Sequence, residues 1–225
     1  MEVKLNIERN QCWLDTLKSE WQCTRLDKME SEFSEYETFK RLLDCFGRRI
    51  NRDRRAGGRI GELFFALLIA EIINKNKYSG EVYMHSRDIS NKPYVVKVDC
   101  KEYQIHKEFD IYICKNCSPQ ILVEVKKNID NIEKDLIKAY LHGESKQENK
   151  PKFIEIVWEE KDESKSRRGE DNQWMILLKY FIGKGLDAFF YFYGPTDEND
   201  KKAKENFENE VKRLDDFLRD SLKDR

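Results

Sequence analysis

The sequence is short of the residues that break or staple a chain. With 4 prolines and 10 glycines in 225 residues, it has no Pro-rich or Gly/Ser-rich linker, and no internal repeat or sustained heptad pattern runs through it. It reads as one compact unit, large enough for a single hydrophobic core. Six cysteines, Cys12, Cys23, Cys45, Cys100, Cys114 and Cys117, are too sparse for a disulfide framework and read as reduced, mostly buried small hydrophobes. Long apolar runs are also missing. The longest, Leu63 to Ala70, is ended by Glu71, far below the roughly 20 residues of a bilayer-spanning helix. The start, MEVKLNIERN, alternates charges and has no apolar signal segment, so an intracellular, cytoplasmic protein with no membrane partner is expected. Finally, no charge sign dominates: 42 Lys plus Arg stand against 43 Asp plus Glu, a net charge of −1, although 38% of residues are charged. A globally basic nucleic-acid binder is excluded, and a local basic patch is not.

What is present is an alternation of helical and strand patterns. From about Asn10 to Gly47 apolar residues recur at helical spacing (Trp13, Leu14, Leu17, Trp21, then Phe39, Leu42, Leu43, Phe46), which predicts two helices with Gly47 as a stop. A basic loop follows, with Arg48, Arg49, Arg52, Arg54, Arg55 and Arg59. It leads into a helix that is apolar on nearly every side, from Leu63 to Ile73, with Glu62 in its first turn. After Gly80, EVYMHS, YVVKVDCKEYQI and FDIYIC have strand character, and Lys115 to Gln120 reads as a hairpin turn. QILVEVK, residues 120–126, is the next strand. A helix is expected from about Asp130 to His142, with Ile132, Leu136, Ile137, Tyr140 and Leu141 as its apolar stripe and Gly143 as its end. KFIEIVW is a further strand, 159–173 a charged surface loop, Trp174 to Ile182 a helix, and DAFFYFY a last buried strand. From Asp197 the positions Phe207, Val211, Leu214, Phe217, Leu218 and Leu222 form a helical stripe that docks on the core or on a second subunit. The order predicts a mixed α/β fold, divided as an N-terminal helical extension with a basic loop (1–57), an α/β core (58–195) and a C-terminal amphipathic helix (196–225).

The residues that could carry chemistry are Asp110 in HKEFDIYIC and the pair Glu124 and Lys126 in ILVEVKK. Side chains two apart on a strand share a face, so Glu124 and Lys126 are neighbours while Val123 and Val125 face the other way. Pairing across the hairpin would add Asp110. Two carboxylates and an ammonium in one small space ask for a cation, and hard oxygen donors with water and a phosphate oxygen suit Mg²⁺, with Mn²⁺ as a substitute. Such an ion stabilises charge developing on a phosphoryl group and lowers the pKa of an attacking water. Lys126 would sit beside that water, to position or deprotonate it or to neutralise charge.

Asp110, followed 14 residues later by Glu124-Val125-Lys126 and preceded by a helix bearing Glu62, resembles the PD-(D/E)XK nuclease superfamily over about Gly58 to Tyr193. The resemblance implies a restriction-endonuclease-like core with helical additions. It implies Asp110 and Glu124 as metal ligands, Lys126 as the catalytic lysine, and Glu62 as the acid that the first core helix contributes to the metal site. Phe109 stands where the motif has proline. Leu136 stands four residues before Tyr140, at the glutamine position of the RecB-like branch, which argues against that branch. The expected function is Mg²⁺-dependent hydrolysis of DNA, as in a type II restriction endonuclease of a restriction-modification pair. The partner would be double-stranded DNA, and the assembly a homodimer. Alternatives are a structure-selective repair or recombination nuclease such as a Holliday-junction resolvase, an RNA-cutting endonuclease, and a catalytically silent nuclease-like binding module.

Rival features have blander readings. The arginines from Arg48 to Arg59, joined by Lys127, are candidate phosphate contacts, or a solvated basic loop. Cys114 and Cys117 form a CxxC that could be half of a zinc site completed by Cys100 and His106, but no second CxxC exists, and a reduced, non-ligand pair is the better reading. His85, His106 and His142 have no nucleophile around them and read as ordinary surface or strand histidines. Tyr191, Phe192 and Tyr193 read as core strand rather than as a base-stacking platform.

Overall fold

The structure, a computed structural model, describes residues 35–37, 39–40, 43, 54–84, 94–98, 101–105, 108–116, 118–145, 150–165, 171–195 and 200–223. In chain order the elements are α1 (Arg54–Asn76), β1 (Glu81–Met84), β2 (Tyr94–Val98), β3 (Lys101–Ile105), β4 (Ile111–Lys115) and β5 (Ser118–Lys127). A 3₁₀ turn (Ile129–Asn131), α2 (Glu133–Glu144), β6 (Lys152–Glu159), α3 (Gln173–Phe181), β7 (Ala188–Tyr193) and α4 (Asp200–Leu222) follow. This is an α/β architecture with a five-stranded mixed open sheet, order β1-β4-β5-β6-β7, and a separate two-stranded β2-β3 hairpin. Strands β1, β4 and β5 run antiparallel, whereas β5, β6 and β7 are parallel. The change of direction follows from the connections: a tight hairpin joins β4 to β5, while α2 carries the chain from β5 over to β6.

The two faces of the sheet are covered by different helices. On one lie α1 and α4, where Phe65 of α1 meets Phe192 of β7 with ring centroids 4.9 Å apart and Phe207 of α4 stacks at 5.2 Å on Phe39, a helical residue ahead of α1 in the chain. On the other lie α2 and α3, with His142 of α2 set edge-on to Phe153 of β6 at 5.8 Å. Burial on both faces explains why β6 and β7 read as near-continuous apolar runs. The exposed backbone edge of β7 is closed by α4: Glu210 accepts from the Tyr191 N–H at 3.1 Å and Arg213 donates to the Phe189 carbonyl at 3.3 Å. Side chains thus occupy hydrogen-bonding positions that another strand would otherwise take.

Several expected boundaries move. The helix bearing Glu62 begins at Arg54, so Arg54, Arg55 and Arg59 belong to helical backbone rather than to a loop, and Glu62 lies in the third turn, not the first. YVVKVDCKEYQI is a hairpin of two strands, not one. Asp110 directly precedes β4 instead of lying within it. Helix α2 runs through Gly143 to Glu144, and its inward residues are Asp135, Leu136, Ala139 and His142, while Ile137 and Tyr140 face outward. His142 is accordingly a buried helical residue. Its Nε2–H donates to the Pro151 carbonyl at 2.8 Å, and burial, aided by the Lys150 charge, pushes it down to about 4. The C-terminal stripe docks on the core through Ala203, Phe207, Leu214, Leu218 and Leu222. Tyr191, Phe192 and Tyr193 are buried strand residues, and Cys114 is fully buried in β4. The helix expected from Asn10 lies outside the described residues up to position 34, as do Gly47, Arg48, Arg49, Arg52, His85, Cys100, His106 and Cys117.

Helix α1 approaches the sheet closely at Gly61, where a Cβ would come within 2.3 Å of the indole Nε1 of Trp158, a fully buried side chain. That contact sets how deep the helix sits and hence where the next residue, Glu62, is carried. Alanine there would gain helix propensity of about 1 kcal/mol, but overpacking against a rigid buried ring costs about 1–3 kcal/mol. Gly61→Ala is therefore expected to lower the midpoint of thermal or denaturant unfolding; an unchanged or raised midpoint would show that Trp158 can move aside.

Candidate functional site

The site forms where the antiparallel and parallel halves of the sheet meet. Ile111 pairs with Val123 across the hairpin, which brings Asp110 beside Glu124, and the contact is fixed by the Val125 N–H donating to Asp110 Oδ2 at 2.8 Å. The backbone of β5 thus positions the aspartate directly. Glu124 and Lys126 project from β5 toward α2, each held by a residue of that helix. Lys138 is ion-paired to Glu124, and Lys126 Nζ lies 3.1 Å from Asp135 Oδ2. Lys138 also comes within 3.8 Å of Asp135 Oδ1.

Beside Glu124, in register on β6, stands Glu155. Both glutamates are 1% exposed, and Glu155 Oε1 is buried without a hydrogen-bond partner. The layer between the sheet and α2 therefore contains the carboxylates of Asp110, Glu124, Asp135 and Glu155 and the ammonium groups of Lys126 and Lys138. Glu62 approaches from α1, and its charge is felt at Asp110. Sequence reasoning named Asp110, Glu124, Lys126 and Glu62, and the first three are neighbours around β5. It missed Asp135, Lys138 and Glu155. Glu155 leaves a signal, a carboxylate between Ile154 and Ile156 in the apolar middle of a strand. Asp135 and Lys138 leave none, because the outward Ile137 and Tyr140 imitate an inward stripe.

The electrostatics follow from an excess of acids in a dry place. Burial pushes Asp110 up to about 6, helped by the Glu62 charge and opposed by the Val125 hydrogen bond and by Lys126 and Lys138. Burial and the Asp110 charge push Glu124 well above the usual carboxylate range, against the pull of Lys138. Glu155 is raised by burial and by Asp135 and Glu124. Burial works to lower Lys126, but the charges of Asp135, Glu124, Asp110 and Glu155 outweigh it and raise the group, so Lys126 is a fixed cation at neutral pH. Raised acids beside a fixed cation are an arrangement that functional sites concentrate.

The donors that could hold a metal here are carboxylate oxygens, a set suited to hard cations. Among the described residues no three His, Cys, Asp or Glu side chains come together as a metal-holding group, so the protein's own contribution would be the Asp110 and Glu124 pair. Lys127 points away from this layer: its ammonium pairs with Glu160 Oε1 at 3.1 Å and lies 5.5 Å from the Trp158 ring centroid. The side chains of Arg54, Arg55 and Arg59 lie outside the described residues.

The raised Asp110 gives a pH signature. A carboxyl near 6 in the folded chain and 3.8 in the unfolded one binds more protons when folded, so its contribution to stability is full below about 3.8 and is lost as pH rises through 6. At 1.36 kcal/mol per unit the full effect is at most about 3 kcal/mol. In EDTA, Asp110→Asn is expected to melt higher than the wild type at pH 7–8, and the gap should close below about pH 4. The buried His142, common to both proteins, cancels from the comparison. A variant no more stable than the wild type at pH 8 would show that the Asp110 charge is fully compensated.

In comparisons with known proteins, no family model, no curated protein and no solved structure matches the chain.

Proposed function

We propose that the protein is a divalent-metal-dependent endonuclease that hydrolyses DNA phosphodiester bonds, built on a restriction-endonuclease-like core of the PD-(D/E)XK type and acting on double-stranded DNA as a homodimer, in the manner of a type II restriction endonuclease. The observation that carries this reading is the meeting of Asp110, Glu124 and Lys126 around one strand of a mixed sheet. The strand is preceded by a helix bearing Glu62 and followed by a crossover helix and a parallel strand. The donor set fits Mg²⁺ or Mn²⁺, which are commonly bound by one or two carboxylates together with waters and substrate phosphate. A dimer would place one such site at each DNA strand.

In this reading Asp110 and Glu124 hold the ion, which supplies charge stabilisation at the phosphoryl group and a more acidic water. Asp110 is aimed by the Val125 N–H, and Glu62 adds negative charge behind it. Lys126, kept protonated by Asp135 and the neighbouring carboxylates, orients the attacking water and neutralises charge in the transition state; its raised pKa does not suit it to act as the base. Asp135 serves as its positioning residue.

The direct test is incubation of the protein with plasmid, phage DNA and RNA in Mg²⁺, with EDTA and Lys126→Ala, Asp110→Ala and Glu124→Ala as controls. Discrete Mg²⁺-dependent DNA fragments, lost by about 10²-fold or more in each variant, are the expected result. Cleavage of RNA alone would transfer the site to an RNA-cutting enzyme. A competing reading, a nuclease-like protein that binds without cutting, is favoured by the internal pairing of both lysines. It would win if no substrate is cut while Asp110→Ala retains DNA binding.

A further inference from the structure

Lys138 occupies the position that a cation at Glu124 needs. It reaches from α2 to Glu124 Oε1, donates to the Glu108 carbonyl at 3.2 Å and lies 5.3 Å from the centroid of the buried Phe109 ring. Its side chain is 16% exposed and that of Glu124 is 1% exposed, so water and salt screen the pair weakly. An ammonium and a metal ion both engage this oxygen through its lone pairs, and two cations packed against one buried carboxylate oxygen repel each other. Each therefore weakens the other's hold on Glu124.

The surroundings make the exchange feasible. Asp135 Oδ1, 3.8 Å from Lys138 Nζ, offers the ammonium a second carboxylate after a short swing of the side chain. Charge balance favours an incoming divalent ion as well. Among the described residues, Lys126 and Lys138 are the cations that act on Asp110, Glu124 and Glu155 in this layer and both also approach Asp135, while Glu155 Oε1 is buried without a hydrogen-bond partner. A two-plus ion added to the cluster offsets carboxylate charge that the two lysines leave over.

We propose that Lys138 competes with the divalent cation for Glu124 and so sets how tightly the site holds metal, a role that rests on the metal-dependent reading above. No family motif named this residue; its place on α2, three residues after Asp135, puts it there. Its ammonium weakens metal binding and keeps Glu124 compensated whenever the ion is not bound.

The test is Mn²⁺ binding to the full chain at pH 8 without nucleic acid, read as the loss of the free-ion electron paramagnetic resonance signal. Lys138→Gln is expected to tighten Mn²⁺ binding by about tenfold or more, since a unit charge a few ångströms from the ligand oxygen counts for at least that much in a partly dry site. Lys138→Arg, which keeps the charge, should not tighten it. Lys138→Met, which keeps the apolar stem, is measured alongside in case the glutamine variant fails to fold, and should behave as Lys138→Gln. Binding by both neutral variants that is equal to or weaker than wild type, with Glu124→Gln still abolishing it, would overturn the competition and leave the metal site standing. Mn²⁺ binding insensitive to Glu124→Gln, or absent from wild type and neutral variants alike, would overturn both the competition and the metal-dependent reading.

Discussion

Placing carboxylates in the dry layer between a sheet and a helix costs more than any single contact returns, and the structure around β5 is organised by that cost. An unpaired buried charge is penalised by several kcal/mol, so every ionised acid in the layer needs an opposite charge or a proton. Lys126 with Asp135 and Lys138 with Glu124 supply two of these pairings. Raised proton affinity at Asp110 and Glu155 supplies the rest. Helix α2 is held with Asp135 and Lys138 against the sheet because those pairs exist, and its apolar Ile137 and Tyr140 are left facing outward.

The remainder of the fold isolates this layer. The opposite face is filled by α1, α4 and a cluster of phenylalanine rings that includes Phe39, Phe65, Phe192 and Phe207, and it contributes conventional apolar burial of roughly 1.5–3 kcal/mol per large side chain. That face bears the stability with which a charged layer can be tolerated on the other. The close seat of Gly61 on Trp158 ties the two together, since it carries Glu62 to where Asp110 feels its charge. The edge of β7, satisfied by Glu210 and Arg213 of α4, completes the sheet with helix side chains in place of a further strand.

The charged layer also constrains chemistry. A lysine whose amine is locked as a cation offers position and charge in place of a base, and a buried carboxylate engaged by an ammonium holds a further cation less tightly. Reactive sites commonly retain such local conflict, which a core selected for stability alone would remove.

Much of the fold was legible in the chain because period-2 and apolar runs survive in any context: β4, β5, β6 and β7 and helices α3 and α4 lie close to where their patterns put them. The candidate site was legible in part. Glu124 and Lys126 share a face because a strand alternates, and Asp110 follows once a short hairpin is recognised. The tertiary structure alone decided which way α2 turns, that Glu155 stands beside Glu124, and that Asp135 and Lys138 close the cluster. The physical reason is that helix rotation and strand register are chosen by the partner surface, and here the partner surface is charged. A pattern reading that sends apolar residues inward fails at α2, whose inward face carries charge.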